Sequence, residues 1–197
     1  MNPLEVCLAV ITGYALGSLS FANLLSHDPG EADYLHRHGA GASTTFWLHG
    51  LKAAFAVLLC DIGKGAVAML IAQSFIGDGA AILAGIAAVA GHNWPLFHHF
   101  KGGRGVATAA GTLLPLIPLA LGVGIAAAVT VFLLTRNILL ASLTLYGATL
   151  ALAWKLDVEA SLLIYALALS GAVAAYTMVA GRHEHVGERW RSTTLKP

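Results

Sequence analysis

Charge is what this sequence has least of: only 11% of its 197 residues are Asp, Glu, Lys or Arg, while 57% are apolar. Soluble domains run near a quarter charged, so a water-exposed fold of this composition would show apolar surface on every side and aggregate. A lipid-facing exterior removes that conflict, and the chain is expected to be an integral membrane protein. Net charge is +1, which gives no reason to expect a nucleic-acid partner. Cysteine is nearly absent. Cys7 and Cys60 both lie inside apolar runs, where they read as small buried hydrophobes and not as a disulfide or a metal pair. The N-terminus MNPLEVCLAV has no basic region and carries Glu5. The first apolar run is therefore expected to remain as a membrane helix and not to be cleaved as a signal peptide. No hydrophilic stretch is long enough for a second domain, so residues 1–197 are expected to form a single one.

A spanning helix needs about 20 mostly apolar residues. Residues 3–25, 51–75, 80–97, 139–154 and 160–180 supply such runs. Residues 106–134 are too long for one pass and are interrupted by Pro115 and Pro118. Counted as one span, they would leave Arg182, Arg189, Arg191 and Lys196 of the tail outside, against the excess of Lys and Arg on cytoplasmic flanks. Proline removes a helical hydrogen bond and ends or kinks a helix. Splitting the run there predicts an all-α polytopic bundle of seven helices, two of them short, with the N-terminus out and the C-terminus in. Arg37, Lys52, Lys101, Arg104, Arg136 and the tail cations then share the cytoplasmic side, Lys155 faces out and Lys64 sits within a helix.

Three polar segments fall on that side: residues 34–50, 91–108 and 181–197. Eight of the nine histidines lie in them, and His27 is just upstream. In the middle segment, Lys101-Gly102-Gly103-Arg104-Gly105 runs straight into an apolar helix. Glycines allow positive φ and close approach, successive N–H groups before a helix N-terminus form an anion site, and Arg104 offers a planar fork for phosphate oxygens. The same residues also suit an ordinary interfacial loop with snorkelling cations. Thr108 could add a hydroxyl or cap the helix. The nucleotide pattern GxxxxGK[ST] is absent. Asp61 and Lys64, three residues apart, share a helix face and are expected to pair. Ser18 and Ser142 either face a site from within the bundle or bond their own backbone. His98–His99 and His36–His38 lack the i,i+4 spacing that puts two ligands on one helix face, so no metal is expected.

GSLSFANLL, DIGKG, GHNWPLFHHFKGGRGVAT and LTRNILLASL, in this order, resemble the bacterial acyl-phosphate:glycerol-3-phosphate acyltransferases across nearly the whole chain. The resemblance implies a multi-pass protein of the bacterial inner membrane whose active site opens to the cytoplasm. It implies transfer of an acyl group from acyl phosphate to the sn-1 hydroxyl of glycerol 3-phosphate, giving lysophosphatidic acid, with no cofactor, metal or acyl-CoA. Its partners would be those two substrates and membrane lipid, with no partner protein indicated. The HxxxxD signature of acyl-CoA-dependent enzymes is absent.

By the same resemblance, Ser18 matches the serine of a Gly-Ser pair and Ser142 a serine lining the site. Lys101, Gly102, Gly103, Arg104, Gly105 and Thr108 match the phosphate-binding loop, opened by His92 and Asn93, with Arg104 replacing a lysine. The family's first motif, roughly GSGN.GATN after an arginine, is altered here to His36-Arg37-His38-Gly39-Ala40-Gly41-Ala42-Ser43-Thr44. Arg37 falls either on the motif's serine or, with a gap, on the arginine, and is expected to hold a second phosphate. The C-terminal motif is altered around His183, with Thr194 near an expected glutamate. These departures motivate one alternative, a diverged paralogue that uses another acceptor or only binds a phosphorylated lipid. Anion transport is the other, though the outer half of the bundle offers few polar residues for a path.

Overall fold

The computed structural model describes residues 1–180, and the expectations for Arg182, His183 and Thr194 lie outside the described residues. All regular structure among the described residues is helical. Helix α1 (Pro3–Gly17) is opened by a capping box: Asn2 Oδ1 accepts the Glu5 N–H at 2.9 Å, and the Glu5 carboxylate accepts the Asn2 N–H at 2.9 Å. After a break at Ser18 come the single turn α2 (Phe21–Leu24) and then α3 (Pro29–His38). Asp28 caps α3 by accepting the N–H groups of Gly30 and Glu31, and Pro29 suits the first turn. The expected layout places no helix between the first two spans, so α3 and the two turns before Gly50 are additions to it.

Helix α4 (Ala42–Phe75) is 34 residues long and broken at Gly50, whose φ of 80° lies outside the helical region. The expected span from residue 51 therefore begins where the chain leaves this kink. Helix α5 (Asp78–Asn93) is followed by a 3₁₀ turn at Leu96–His98, then α6 (Val106–Leu113), α7 (Pro118–Thr135), α8 (Ile138–Lys155) and α9 (Ala160–Ala180). The long apolar run does divide at its prolines, with Pro118 in the first turn of α7. The halves are unequal. α6 has eight residues, about 12 Å at 1.5 Å per residue, whereas α7 has eighteen and is long and apolar enough to cross a bilayer. Only α6 is short, which corrects the expected pair of short helices. Six helical segments among the described residues have the length and hydropathy of membrane spans, and Leu4, Ile11, Phe55, Leu119 and Ile164 are among the large apolar side chains they turn outward.

Lipid tails are as apolar as leucine, so helices in a bilayer associate through close packing of small residues. α1 and α5 run parallel: a Cβ added at Gly13 would stand 2.2 Å from Ala84 O, and one at Gly17 would stand 2.1 Å from Ala88 O. α4 and α6 cross at Gly65 and Gly111, where added Cβ atoms would lie 2.2 Å from Thr108 O and 2.0 Å from Ile62 O. Val89, Leu113, Leu121, Leu145 and Tyr165 form the centre of the largest core cluster. Tyr14 Oη donates to Trp94 O at 2.6 Å, and the Trp94 and Tyr176 rings meet at 5.3 Å, so α1, α5 and α9 finish at one end of the bundle. Phe132 of α7 meets Phe46 of α4 near the same end, which brings Arg136 to the side that carries the loop after α5.

Candidate active site

The last carbonyls of α5 need donors, as at any helix C-terminus. The chain supplies them by reversing over the 3₁₀ turn, with His99 (φ 52°) and Phe100 (φ 58°) in the left-handed region. It then lies back on the helix end. The Gly102 N–H donates to Asn93 O at 3.2 Å, and the Gly103 N–H donates to His92 O at 3.1 Å. The loop's pattern points these two amides toward a phosphate, but in the structure they cap α5. Glycine is required here for closeness, since a Cβ at Gly102 would stand 2.0 Å from His92 O. Gly102 O in turn accepts the Ala40 N–H at 3.1 Å, so the altered first motif and the glycine loop are joined directly.

Beyond this clamp, Gly105 adopts φ 78° and α6 begins with no side chain capping it. The open N–H groups of its first turn carry the positive end of the helix dipole. Two buried polar atoms flank this turn with no hydrogen-bond partner, Asn93 Oδ1 and Thr108 Oγ1. Buried polar atoms are nearly always satisfied, so these two beside an uncapped helix start stand out as exceptions. Thr108 does not cap the helix. Lys101 is exposed and Arg104 half-buried on the same loop. Gly105 lies against Asn93, where an added Cβ would stand 2.6 Å from Asn93 Oδ1, and Lys101 and Arg104 are carried on the same loop just before α6.

Behind the loop lies a buried cluster of charge. Asp61 and Lys64 pair at 2.9 Å as their spacing predicts, and Lys64 Nζ also donates to Leu19 O at 2.7 Å. His92 joins them, its Nδ1 3.5 Å from Asp61 Oδ1. The far nitrogen of that ring backs the loop: a Cβ at Gly103 would stand 2.2 Å from His92 Nε2. Asp61 and Lys64 thus act on the loop through His92, a positioning role that sequence reasoning missed because it left the pair as a structural contact within α4.

Ser18 caps the end of α1, and its Oγ accepts the Leu96 N–H at 3.2 Å, fixing the 3₁₀ turn. Ser142 Oγ donates to Ile138 O of its own helix at 2.7 Å. It sits one turn before Tyr146, whose hydroxyl donates to Val106 O at 2.8 Å, so α8 lines the start of α6. Ser18 thus ties α1 to the turn after α5, while Ser142 bonds within its own helix. Arg37 is exposed and engaged by Asp33 one turn back on α3. Its neighbour His36 meets the loop's field: burial first, then the charges of Lys101 and His99, hold the His36 imidazole below its ordinary value. Among the described residues neither the His98–His99 nor the His36–His38 pair belongs to a metal-sized cluster.

These features define a multi-pass integral membrane protein whose polar groups close over the end of one helix pair. A family profile described as glycerol-3-phosphate acyltransferase matches residues 7–192, and the chain belongs to that family. It is 40% identical over 190 residues to the glycerol-3-phosphate acyltransferase of Azotobacter vinelandii, covering 91% of this chain and 99% of that one. It is 45% identical over 155 residues to that of Pseudomonas aeruginosa, covering 76% and 82%. The fold matches crystal structures of PlsY, an integral membrane glycerol 3-phosphate acyltransferase. The glycerol 3-phosphate form aligns with a TM-score of 0.77 at 26% identity over 92% of each chain, and the lysophosphatidic acid form with a TM-score of 0.76.

Proposed function

We propose that this protein is a glycerol-3-phosphate acyltransferase that takes its acyl group from acyl phosphate and works at the cytoplasmic face of the bacterial inner membrane. The observation that carries the reading is the orphaned pair Asn93 Oδ1 and Thr108 Oγ1 beside the uncapped start of α6. A phosphorylated polyol supplies what that place needs, an anion for the helix end and hydroxyl groups for a buried carbonyl and a buried hydroxyl. Lys101 and Arg104 hold phosphate, Arg104 through its planar fork. Arg37, two residues from the Gly39–Gly41 stretch that Gly102 ties down, would take the second phosphate by exchanging Asp33 for it. The excess of Lys and Arg at this end, against Lys155 alone at the other among the described residues, supports a cytoplasmic orientation.

The sn-1 hydroxyl oxygen of glycerol 3-phosphate attacks the acyl carbonyl carbon. A new ester C–O bond forms, the bond from that carbon to the donor's phosphate oxygen breaks, and phosphate departs with the electron pair. The hydroxyl proton passes to a phosphate oxygen, so the protein needs no general base of its own. What the protein supplies is position and charge stabilisation, with the acyl tail between helices. The test is formation of lysophosphatidic acid by the purified protein in lipid from palmitoyl phosphate and labelled glycerol 3-phosphate. Arg104→Ala is expected to reduce turnover by about a hundredfold or more with membrane insertion unchanged. Wild-type turnover in that variant would remove Arg104 from the site. No product from folded wild-type protein would instead favour the paralogue with another acceptor.

A further inference from the structure

A second polar cluster lies away from the loop, where the connection between α2 and α3 meets the first turns of α4. His27, Glu31 and His49 each bring one ligand atom to a group whose members all lie within 4.8 Å of one another. Glu31 Oε2 is 3.6 Å from His49 Nε2 and 3.9 Å from His27 Nδ1. Neither distance is a hydrogen bond. Both are close to the spacing of neighbouring ligands around one ion, since donors bound at about 2.0–2.1 Å in tetrahedral geometry stand about 3.4 Å apart.

Two further features favour an ion over a chance gathering. His49 Nε2 is buried with no hydrogen-bond partner, a costly state for a ring nitrogen unless something completes it. The approach of His27 is also fixed in advance. Its backbone N–H donates to Glu31 Oε2 at 2.8 Å, and Asp28 between them caps α3. The two imidazole rings stand 5.9 Å apart at 56°, so their nitrogens converge without stacking. The sequence hid this site because His49 is eighteen or more positions from the other two, and the kink at Gly50 is what turns the first segment of α4 toward them.

We propose that His27, Glu31 and His49 bind a divalent transition metal, with zinc best matched to two imidazoles and one carboxylate and a fourth position left to water. The ion joins α3 to the first segment of α4. α3 carries Arg37 and runs into the Gly39–Gly41 stretch, where the Ala40 N–H bonds Gly102 O. The metal therefore sets the position of a helix that borders the loop and takes no part in the chemistry. The site does not depend on the acyltransfer reading, and its test does not use turnover.

The experiment uses the full chain in lipid nanodiscs without a polyhistidine tag, stripped with chelator and titrated with Zn²⁺, and with Co²⁺ for its visible spectrum. One ion per chain is expected, with a tetrahedral cobalt spectrum. Glu31→Gln and His49→Ala are expected to abolish stoichiometric binding. His27→Ala is expected to weaken it by about tenfold or more, and the 81% exposure of that side chain leaves the fold out of the result. His99→Ala and the double variant His183→Ala/His185→Ala are expected to bind as wild type. Absent stoichiometric binding, binding indifferent to His27→Ala, or loss in either control variant would overturn the proposal.

Discussion

Gly103→Ala is the substitution whose effect this geometry specifies most closely. The new Cβ would stand 2.2 Å from His92 Nε2 and 2.8 Å from Ala40 O, both under the 3.0 Å that Cβ contacts respect. A flexible side chain would yield at little cost, but His92 is buried with its Nδ1 facing Asp61 at 3.5 Å, and the second obstacle is backbone. The loop itself must therefore move by roughly 0.8 Å or more, taking Lys101 and Arg104 with it. A displacement of about 1 Å in a positioning element costs on the order of a hundredfold in rate, or about 2.7 kcal/mol of transition-state stabilisation. Gly63→Ala is the matched control. It lies between Asp61 and Lys64, yet nothing stands within 4 Å of its added Cβ. The assay is kcat/KM for both substrates in nanodiscs, with thermal melting to separate misplacement from unfolding. A Gly103→Ala protein within about threefold of wild type would refute the argument that this loop is held at contact distance on a ring that cannot retreat.

Other outcomes follow from the buried cluster, the helix crossing and the loop's field. Asp61→Asn strands the Lys64 ammonium and is expected to destabilise the protein by about 3–5 kcal/mol. The double variant Asp61→Leu/Lys64→Met should recover much of that in thermal melting, and a double variant no better than the single would contradict the pairing. Gly111→Leu cannot keep the α4–α6 crossing and is expected to lose folded protein by size-exclusion chromatography, whereas Gly122→Leu, with nothing within 4 Å of its added Cβ, should not. His36 is expected to titrate below 6.5 by NMR. Its folded-state value is depressed, so the unfolded chain binds more protons and stability rises with pH between the folded value and 6.5, with the penalty fully present below that window. Lys101→Met should raise the His36 midpoint only in part, because burial is the larger cause, and saturating glycerol 3-phosphate should raise it if phosphate reaches Lys101.

The spans were legible because lipid imposes a length and a composition, and both survive in one sequence. The proline break was legible for the same local reason, and so was its asymmetry: Pro115, directly after the C-cap Leu114, cannot continue α6, while Pro118 opens α7 with a full-length run still ahead. The anion loop could be located from Lys101 to Thr108, but its amides could not be assigned. Whether Gly102 and Gly103 point at a ligand or cap α5 depends on how the chain folds back, a tertiary fact. The same applies to His92, which sits in sequence among interface residues and in space against Asp61. Ser18 and Ser142 were matched by resemblance, and the structure shows hydroxyls already engaged with backbone groups.

The parallel run of α1 beside α5 has a consequence for how the protein is made. Its small-residue seats at Gly13 and Gly17 receive Ala84 and Ala88, which leave the ribosome about seventy residues later, a delay of several seconds at 5–20 residues per second. Until then α1 faces lipid with its grooves unfilled, and the Ser18 hydroxyl waits for the Leu96 amide. A nascent chain that has reached Phe75 already contains the Ala40 N–H that will hold Gly102 O, but not the loop that receives it. The end that carries the glycine loop is thus among the last parts of the described chain to close. A ribosome stalled before Asp78 would leave an apolar fragment that carries Arg37 but lacks Asn93, Lys101, Arg104 and Thr108.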